Sequence, residues 1–507
     1  MANTSDEARA SAATLVPLSP TVAVAALASP GIMSTDPDGP TAAHLSPDEF
    51  RALGYRTIDW IADYMESVAD RPVLSTVEPG AIRDELPAEP PVDPESFGAV
   101  LADLDRIVMP GITHWQAPGF FAYFPANASG PAILGDLVSG GLGVQGMMWS
   151  TSPACTEVEQ VMLDWLVRAA GLPEHFLSDG PGGGVIQDSA SSAALCALVA
   201  ARERAGGNDR LDRLVAYVST ETHSSLEKGA RIAGLRDEHL RVVPTDDELR
   251  MDAGRLATMV AADRAEGLVP FFVCATAGST STTAFDPTDA ICDVAETDDL
   301  WVHLDAAFAG SATVCPEYRW VIDGVDRVDS YNFNPHKWLL TNFDCSAFWV
   351  RDRATLLDAL SILPEYLRNE VSASGAVVDY RDWQVPMGRR FRALKLWFVF
   401  RHYGLTGLQQ HIRNHVAWAE WLADRIDAHP SLELAAPRTL SLVCLRHVGG
   451  DDRTRHMVGE VNRSGEAFLT HTVVDDRYVL RVAIGGTATT RTDVERLWGQ
   501  LRALADD

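Results

Sequence analysis

Three uninterrupted apolar stretches in the middle of the chain have the length and composition of buried β-strands. They are RLVAYVST (213–220), LVPFFVCAT (268–276) and LWVHLDAA (300–307). Between the first two lies a helical pattern, 252–267, with Asp252 at its N-cap position. Continuous apolar strands that alternate with amphipathic helices indicate a mostly parallel sheet covered on both faces, which is an α/β architecture.

The pattern differs before and after this central region. SPDE (46–49) is a capping-box sequence, and it opens a helical pattern with one apolar face that requires a partner surface. After Gly404 a long helical pattern reaches about residue 428, and two predicted strands and a final helix follow: 440–447, 477–485 and 491–505. These patterns predict a disordered tail (1–45), an N-terminal helical segment (46–120), a large α/β domain (121–404) and a small α+β domain (405–507).

The composition argues against several functional classes. The chain has 42 Lys+Arg and 70 Asp+Glu, a formal charge of −28, which argues against nucleic acid as a partner. Its seven cysteines are scattered, without a CxxC or HExxH motif, so no metal site is predicted and reduced thiols in a cytoplasmic protein are expected. No apolar run is long enough to cross a membrane. The apolar stretch 22–28 lacks a preceding basic cluster and is assigned to the tail rather than to a signal peptide.

The first segment with candidate chemistry is GGGVIQDSASSAALCALVAAR (182–202). Its glycines are followed by a short apolar strand and then by Ser189, Ala190 and Ser191, which open an alanine-rich helix. Backbone N–H groups at a helix N-terminus attract anions, and small side chains allow a phosphate to approach. A glycine-rich turn before a capped helix with no ligand has the same pattern, so this segment alone does not define a site.

Two further segments each place an ionisable group in apolar surroundings. Asp305 follows a predicted strand, so it lies where α/β folds bind ligands, although it also fits a helix N-cap. Lys337 lies in NFNPHKWLL (332–340), where burial would depress its amine pKa and make it a nucleophile toward carbonyls. Alternatively, the lysine stem packs on Trp338 and the ammonium group reaches water.

The three segments together predict one cofactor. A helix N-terminus that binds phosphate, a carboxylate at a strand end and a desolvated lysine are the groups that pyridoxal 5′-phosphate requires. The lysine forms a Schiff base with the cofactor aldehyde, the carboxylate keeps the pyridine nitrogen protonated, and the helix end holds the phosphate.

The chain resembles the pyridoxal-phosphate-dependent group II amino acid decarboxylases, particularly the aromatic-L-amino-acid decarboxylases. The matching segments are 112–125, 152–166, 182–191, 222–229, 303–317, 332–350 and 379–405. The resemblance implies the type I aminotransferase-like fold, with a mostly parallel seven-stranded sheet flanked by helices. It also implies a homodimer in which the N-terminal helices clasp the partner and both subunits contribute to each active site.

The resemblance also assigns roles to residues of the cofactor site. Lys337 would bind the cofactor covalently, Asp305 would pair with the pyridinium nitrogen, and Ala307 and His223 would lie against the two ring faces. The phosphate contacts would be Ser189, Ala190, Ser191 and Asn334, with His336 close by, and Thr280 would lie near the ring hydroxyl. Asp188, where relatives often carry glycine, is expected to point away from the phosphate.

The prediction of the reaction type depends on Tyr366. Residues 362–384 resemble the mobile catalytic loop of the family, and Tyr366 matches the tyrosine that protonates Cα, reaching over from the other subunit. In the related aldehyde synthases a phenylalanine commonly replaces this tyrosine. Tyr366 together with His223 therefore favours simple decarboxylation to an amine.

The resemblance also suggests the substrate. The matching apolar wall consists of Trp115, Tyr123, Phe124 and Pro125, with Gln145 and Met147 contributed by the partner subunit. Gly388 occupies a position where serine accompanies histidine or phenolic substrates, and glycine leaves room for a larger ring. Tryptophan is therefore favoured, with phenylalanine, tyrosine, DOPA and 5-hydroxytryptophan as further aromatic candidates.

Three alternatives remain at this stage. The first is an aromatic aldehyde synthase, and the second is a decarboxylase of a non-aromatic amino acid. No basic residue is evident among the wall positions to pair with a side-chain carboxylate, which argues against glutamate. The third alternative is a non-catalytic scaffold, which the joint presence of Lys337, Asp305, His223 and Tyr366 disfavours.

Overall fold

A computed structural model of the protein describes residues 44–362 and 376–506. Tyr366 and nearly all of the predicted tail lie outside these residues. The chain divides into two compact units, of which the smaller includes residues up to 63 together with 77–111, and the larger includes 64–76 and the chain from 112 onward. The predicted limits of the four parts stay a prediction.

A seven-stranded sheet forms the centre of the larger unit. Its strands are β1 (Gly183–Gln187), β2 (Leu214–Ser219), β3 (Leu240–Val243), β4 (Val269–Thr276), β5 (Trp301–Asp305), β6 (Ser330–Phe333) and β7 (Ser346–Val350). The strand order is β1-β7-β6-β5-β4-β2-β3, and only β7 runs antiparallel to its neighbours. The predicted α/β fold with a mostly parallel seven-stranded sheet is confirmed.

A second sheet of four antiparallel strands lies toward the C-terminus, in the order β10-β11-β9-β8. Its strands are β8 (Leu432–Leu434), β9 (Leu442–His447), β10 (Thr470–Val474) and β11 (Arg477–Ala483). This sheet shares a separate hydrophobic core with the helices around it, and Val443, Leu480 and Leu497 are among its buried members.

The helices account for much of the remaining chain. They are α1 (Pro47–Ser67), α2 (Ala81–Glu85), α3 (Phe97–Asp103), α4 (Gly130–Leu142), α5 (Pro153–Ala170), α6 (Ala190–Arg204), α7 (Ser225–Ile232), α8 (Ala253–Ala265), α9 (Thr288–Asp298), α10 (Pro335–Trp338), α11 (Arg353–Leu360), α12 (Arg392–Asp427), α13 (Asp451–Ser464) and α14 (Arg491–Asp506). Gly404 interrupts α12 with non-helical dihedrals, φ 62° and ψ 172°. The pattern after Gly404 was predicted as helix, whereas the part before it was not.

The N-cap hydrogen bonds that the sequence predicts at two helix starts are present. Ser46 and Glu49 form a reciprocal capping box, in which Ser46 N–H donates to Glu49 Oε2 over 2.8 Å and Glu49 N–H donates to Ser46 Oγ over 3.3 Å. Asp252 accepts a 3.0 Å hydrogen bond from Arg255 N–H at the start of α8. Apolar side chains of α1 such as Phe50 and Tyr55 are exposed.

Most strands of the large sheet are buried along their whole length, whereas the edge strand β3 is partly exposed. Successive side chains of a strand point to opposite faces, so a strand buried at every position is covered on both sides. β2 and β5 are buried throughout, and α6 packs against β4, β5, β6 and β7. The main hydrophobic core therefore surrounds the sheet on which the candidate site is built.

The glycine run at the start of β1 has a packing function. A Cβ atom on Gly184 would lie 2.6 Å from the Trp349 side chain, and one on Gly182 would lie 2.1 Å from the Val350 carbonyl oxygen. Only glycine allows β7 to approach so closely at these positions. The run lies at the end of β1 remote from Ser189, so the glycines serve strand packing rather than anion binding.

The described part of the chain contains free cysteines only, and each of them is buried. Within 44–362 and 376–506, no group of three or more histidine, cysteine or acidic side chains is arranged to hold a metal ion. None of the helices in these ranges combines the length and apolar character needed to cross a membrane.

Candidate active site

All ten residues predicted to bind the cofactor line one cavity of about 240 Å³. They are Ser189, Ala190, Ser191, His223, Thr280, Asp305, Ala307, Asn334, His336 and Lys337. A larger cavity of about 360 Å³ shares only His223 with this set. The smaller cavity is therefore the candidate site, although the role of each residue remains a prediction.

The fold brings these residues together at the carboxyl ends of the parallel strands. Asp305 is the last residue of β5, and its register partner Thr276 is the last residue of β4. Lys337 lies in the short helix α10 directly after β6, and Ser189 caps the helix that follows β1. Ligands of α/β proteins bind at this edge because the loops that leave the strands converge there.

Lys337 presents an amine with altered acidity to the cavity. Burial lowers the pKa of this amine from its ordinary value of 10.5, and the Asp305 carboxylate opposes the shift only in part. Nζ lies 5.5 Å from the centre of the Phe124 ring, which also lines the cavity. A lowered pKa increases the neutral, nucleophilic fraction of the amine. This favours Lys337 as a nucleophile over Lys337 as a packed side chain with a solvated ammonium group.

Asp305 is buried and held in place by two hydrogen bonds. Its Oδ1 accepts one from Ala307 N–H over 3.0 Å and one from Asn332 Nδ2 over 3.1 Å. The first bond closes a turn after β5, and the next helical turn begins only at Ala309, so Asp305 is not a helix N-cap. Asp305 organises this turn and also lines the cavity. A fixed carboxylate here can stabilise a cationic nitrogen of a ligand.

The local hydrogen bonds define the tautomer of His223. Ser225 N–H donates to Nδ1 over 3.2 Å, and Ser225 Oγ lies 2.8 Å from the same nitrogen. Nδ1 is therefore an acceptor, and the proton of the neutral ring is on Nε2. Burial lowers the pKa of His223; the Asp305 carboxylate opposes this shift, and the Lys337 amine adds to it. The ring is thus neutral near pH 7 and offers an N–H donor and a flat face.

The start of α6 and the chain around α10 contribute the residues that are predicted to bind the phosphate. Ser189 Oγ accepts a 3.3 Å bond from Ser192 N–H, and the N–H groups of Ala190 and Ser191 have no partner within the helix. Free N–H groups at a helix N-terminus favour the binding of an anion. His336 Nδ1 accepts from Cys345 N–H over 3.0 Å, and burial together with Lys337 lowers the pKa of His336 to about 3. Asp188 is not among the lining residues, and its Oδ1 accepts from Ser189 Oγ over 3.3 Å.

Several lining residues were not identified from the sequence: Ser225, Thr276, Gly278 and Phe308. Thr276 could have been predicted from the sequence, because it ends a predicted strand, as Asp305 does. In the structure the two strands pair, and Thr276 lies beside Asp305. The buried Arg481 was also missed, since it comes from β11, far away in the sequence. Its guanidinium donates to the carbonyl oxygens of Thr280 and Ser281 over 2.6 and 2.9 Å and so fixes that wall.

The predicted substrate wall is only partly present at this cavity. Of its seven residues, Phe124 alone is among the lining set. Trp115 stacks on Tyr123, with ring centres 5.7 Å apart, and Pro125 lies against Gly485.

Gln145 lies beside Gly388, because a Cβ atom on Gly388 would be 3.3 Å from Gln145 Nε2. Met147 accepts a 2.9 Å backbone hydrogen bond from Arg381 in the same region. These three wall positions are not among the residues that line the cavity of their own chain, and their substrate contacts stay a prediction.

The residues present fit pyridoxal 5′-phosphate. The cavity combines an amine of lowered pKa, an oriented carboxylate and a helix N-terminus with hydroxyl groups on Ser189 and Ser191. Thr276 Oγ1 is buried and has no hydrogen-bond partner among the described residues, so a polar ligand group would satisfy it. This donor set matches the aldehyde, pyridine nitrogen and phosphate of the cofactor.

Comparisons with known proteins show which family the chain is similar to. Residues 79–448 match the pyridoxal-dependent decarboxylase conserved domain. The chain is 46% identical to phenylacetaldehyde synthase of Arabidopsis thaliana over 468 residues, covering 90% of this chain and 95% of that protein. It is 44% identical to tryptophan decarboxylase 2 of Oryza sativa subsp. japonica over 470 residues, with coverages of 90% and 95%.

A crystal structure of Oryza sativa TDC with PLP and tryptamine superimposes with a TM-score of 0.90 at 42% identity, covering 92% of this chain and 99% of that one. The chain belongs to the pyridoxal-dependent decarboxylase family. It is a pyridoxal-phosphate-dependent carboxy-lyase, so the predicted family, cofactor and enzyme class are confirmed.

Proposed function

We propose that this enzyme decarboxylates an aromatic L-amino acid, with tryptophan favoured, to the corresponding arylalkylamine and CO₂. Phenylalanine, tyrosine, DOPA and 5-hydroxytryptophan are further candidate substrates. The observation that carries the proposal is the convergence of Lys337, Asp305 and the start of α6 on one cavity. The similarity to tryptophan decarboxylase 2 of Oryza sativa and to the TDC structure with tryptamine supports the aromatic substrate class.

The cofactor, when bound, supplies a protonated ring that accepts the electrons of the bond between Cα and the carboxylate. Lys337 would hold it covalently, because its lowered amine pKa favours the nucleophilic form. Asp305 would keep a proton on the pyridine nitrogen, and Ser189, Ala190 and Ser191 would bind the phosphate through the helix N-terminus. Asn334 and His336 line the same cavity, and the neutral His336 ring can donate from Nε2.

His223 and Tyr366 are proposed to determine the outcome after CO₂ leaves. His223 is held with Nδ1 as acceptor, so its ring can lie flat against the cofactor and present Nε2–H. Tyr366, supplied by the partner subunit, would donate the proton that replaces the carboxylate at Cα. This proton transfer yields the amine and prevents oxygen from reacting at the same carbon.

A homodimer with shared active sites completes the proposal. Gln145 and Met147 do not line the cavity of their own chain, which supports the proposal that they contact the substrate bound by the partner subunit. Helix α4 exposes apolar side chains, among them Leu134, Leu137 and Leu142, which is typical of an interface. We further propose a cytoplasmic location, which the set of free, buried cysteines supports.

A second candidate function is aromatic aldehyde synthesis, because one of the most similar relatives is a phenylacetaldehyde synthase. Tyr366 favours the decarboxylase. The two are separated by incubating the purified enzyme with tryptophan, phenylalanine, tyrosine, DOPA, glutamate and diaminobutyrate, and by quantifying amine, aldehyde, ammonia and hydrogen peroxide for each. One amine per CO₂ from an aromatic substrate is expected. Stoichiometric peroxide would identify an aldehyde synthase, and amine from glutamate or diaminobutyrate alone would reject the aromatic class.

A further inference from the structure

A buried ion pair lies next to strand β1, outside the cavity. Glu159 of α5 and Arg389 have side chains that are 0% exposed, and Arg389 Nη2 lies 2.6 Å from Glu159 Oε1. The Arg389 guanidinium also lies over the Tyr380 ring, 4.6 Å from its centre. Neither residue lines the candidate site.

The ion pair bonds both backbone polar groups of Ile186. Ile186 N–H donates to Glu159 Oε1 over 2.8 Å, and the Ile186 carbonyl accepts from Arg389 Nη2 over 3.0 Å. β1 is an edge strand of the large sheet, so it has no neighbouring strand on the side away from β7. Glu159 and Arg389 therefore satisfy Ile186 where a neighbouring strand would otherwise do so.

A contribution to stability alone explains this pair poorly. Glu159 Oε2 and the Nε and Nη1 atoms of Arg389 are buried and have no hydrogen-bond partner among the described residues. Burying two charges with incomplete hydrogen bonding is often no more favourable than packing apolar side chains there. What the pair does provide is a fixed position for the backbone of Ile186.

Ile186 is followed along the chain by the end of β1 that leads to the candidate site. Gln187, the last residue of the strand, donates from Nε2 to the Trp383 carbonyl over 3.1 Å, and Ser189 then caps α6. We propose that Glu159 and Arg389 are positioning residues that hold the end of β1, and with it Ser189, Ala190 and Ser191, in place to bind the phosphate of the cofactor.

The proposal predicts an effect on phosphate recognition only. Pyridoxal and pyridoxal 5′-phosphate share the ring and the aldehyde, so the ratio of their dissociation constants isolates the phosphate contribution. The ratio would be measured on purified apoprotein by titration with each compound. Glu159→Gln is expected to raise the dissociation constant of pyridoxal 5′-phosphate about tenfold, the equivalent of one hydrogen bond, and to leave that of pyridoxal unchanged.

The matched control is Asp263→Asn, because Asp263 is a buried carboxylate paired with Arg241 in the same unit and lines neither cavity. Its ratio should equal that of the wild type. Arg389→Lys keeps the charge and is measured beside Glu159→Gln, so that the test stands if one variant does not fold. An unchanged ratio in the Glu159 and Arg389 variants, or an equal rise in both dissociation constants, would overturn the proposal. No amino acid is used, so this result is independent of the substrate assignment.

Discussion

Nε1 of Trp338 donates a 2.9 Å hydrogen bond to Nδ1 of His415, and both side chains are buried. The Trp338 ring also stacks on Phe308 at 4.5 Å, and Phe308 stacks on Phe124 at 4.0 Å. Burial lowers the pKa of His415 well below its ordinary value, so the ring stays neutral and keeps its acceptor. Trp338 follows Lys337 directly, so these contacts fix the helix that carries the reactive amine.

Trp338→Phe should destabilise the protein without removing the ring stack. The change deletes the donor and leaves His415 Nδ1 buried without a partner, which costs about 1–3 kcal/mol in the free energy of unfolding. Urea unfolding of the apoprotein measures this loss. The control is Trp320→Phe, at a partly exposed tryptophan, where the change should stay within about 0.5 kcal/mol. Equal stability of Trp338→Phe and the wild type would show that the hydrogen bond has no such role.

Ser225→Ala should reduce turnover by loosening His223. The variant loses the hydroxyl that lies 2.8 Å from Nδ1 and keeps the backbone N–H that fixes the tautomer. A neutral hydrogen bond contributes about 0.5–1.5 kcal/mol, so kcat/KM should fall roughly two- to tenfold. The neighbouring Ser224 makes no capping bond with its side chain, so Ser224→Ala is the control and should match the wild type. Equal kcat/KM values for Ser225→Ala and Ser224→Ala would show that the Ser225 hydroxyl does not hold His223 in place.

Lys337→Met should change how the stability of the apoprotein depends on pH. The folded-state pKa of Lys337 lies below 10.5, so between these two values the unfolded chain binds more protons than the folded chain. Wild-type stability therefore rises with pH across that window, by at most about 1.4 kcal/mol for each pH unit. At lower pH the folded wild type must bury a charge that the variant lacks.

Lys337→Met apoprotein should consequently be the more stable of the two at pH 7, and the difference should shrink as the pH approaches 10.5. Thermal unfolding at a series of pH values measures this trend. The control is Lys228→Met, at an exposed lysine of α7, which should show a constant offset. A stability difference between Lys337→Met and the wild type that grows with pH would contradict a lowered pKa of Lys337 in the folded state.

Tyr366→Phe should keep cofactor binding and CO₂ release while diverting the product toward aldehyde. Without the hydroxyl, the proton that completes the amine is no longer supplied, and oxygen can react at the same carbon instead. Ammonia, hydrogen peroxide and aldehyde should therefore appear at the expense of amine. Amine output equal to that of the wild type would show that the proton comes from another group.

The sequence predicted the parts of the fold whose signals are local. β2, β4 and β5 are continuous apolar runs, and they lie within the predicted stretches because a strand buried on both faces needs no polar alternation. β6 reads Ser-Tyr-Asn-Phe and was not predicted, because four residues of mixed polarity carry no periodicity. The helical residues before Gly404 were also missed, since the break at that glycine hides the continuation of α12.

In the candidate site, too, only the residues with local signals in the sequence were predicted. Lys337, Asp305 and the start of α6 were found because each has unusual neighbours in the chain, and their order matched one cofactor. Arg481 and the Glu159–Arg389 pair were not found, because their contacts join segments far apart in the sequence and each charge looks ordinary in its local context. Contacts of this kind depend on the folded arrangement and leave no pattern in the chain.

The central claim is that the amine of Lys337 holds the cofactor, and one measurement tests it directly. The purified enzyme is incubated with pyridoxal 5′-phosphate, reduced with borohydride, digested and analysed by peptide mass spectrometry. Lys395 provides an internal comparison, because burial lowers its amine pKa as well and it lies outside the cavity. We expect the reduced adduct on the peptide that contains Lys337 and none on the peptide that contains Lys395. An adduct on Lys395 or another lysine, or no adduct from protein that binds the cofactor, would contradict the account.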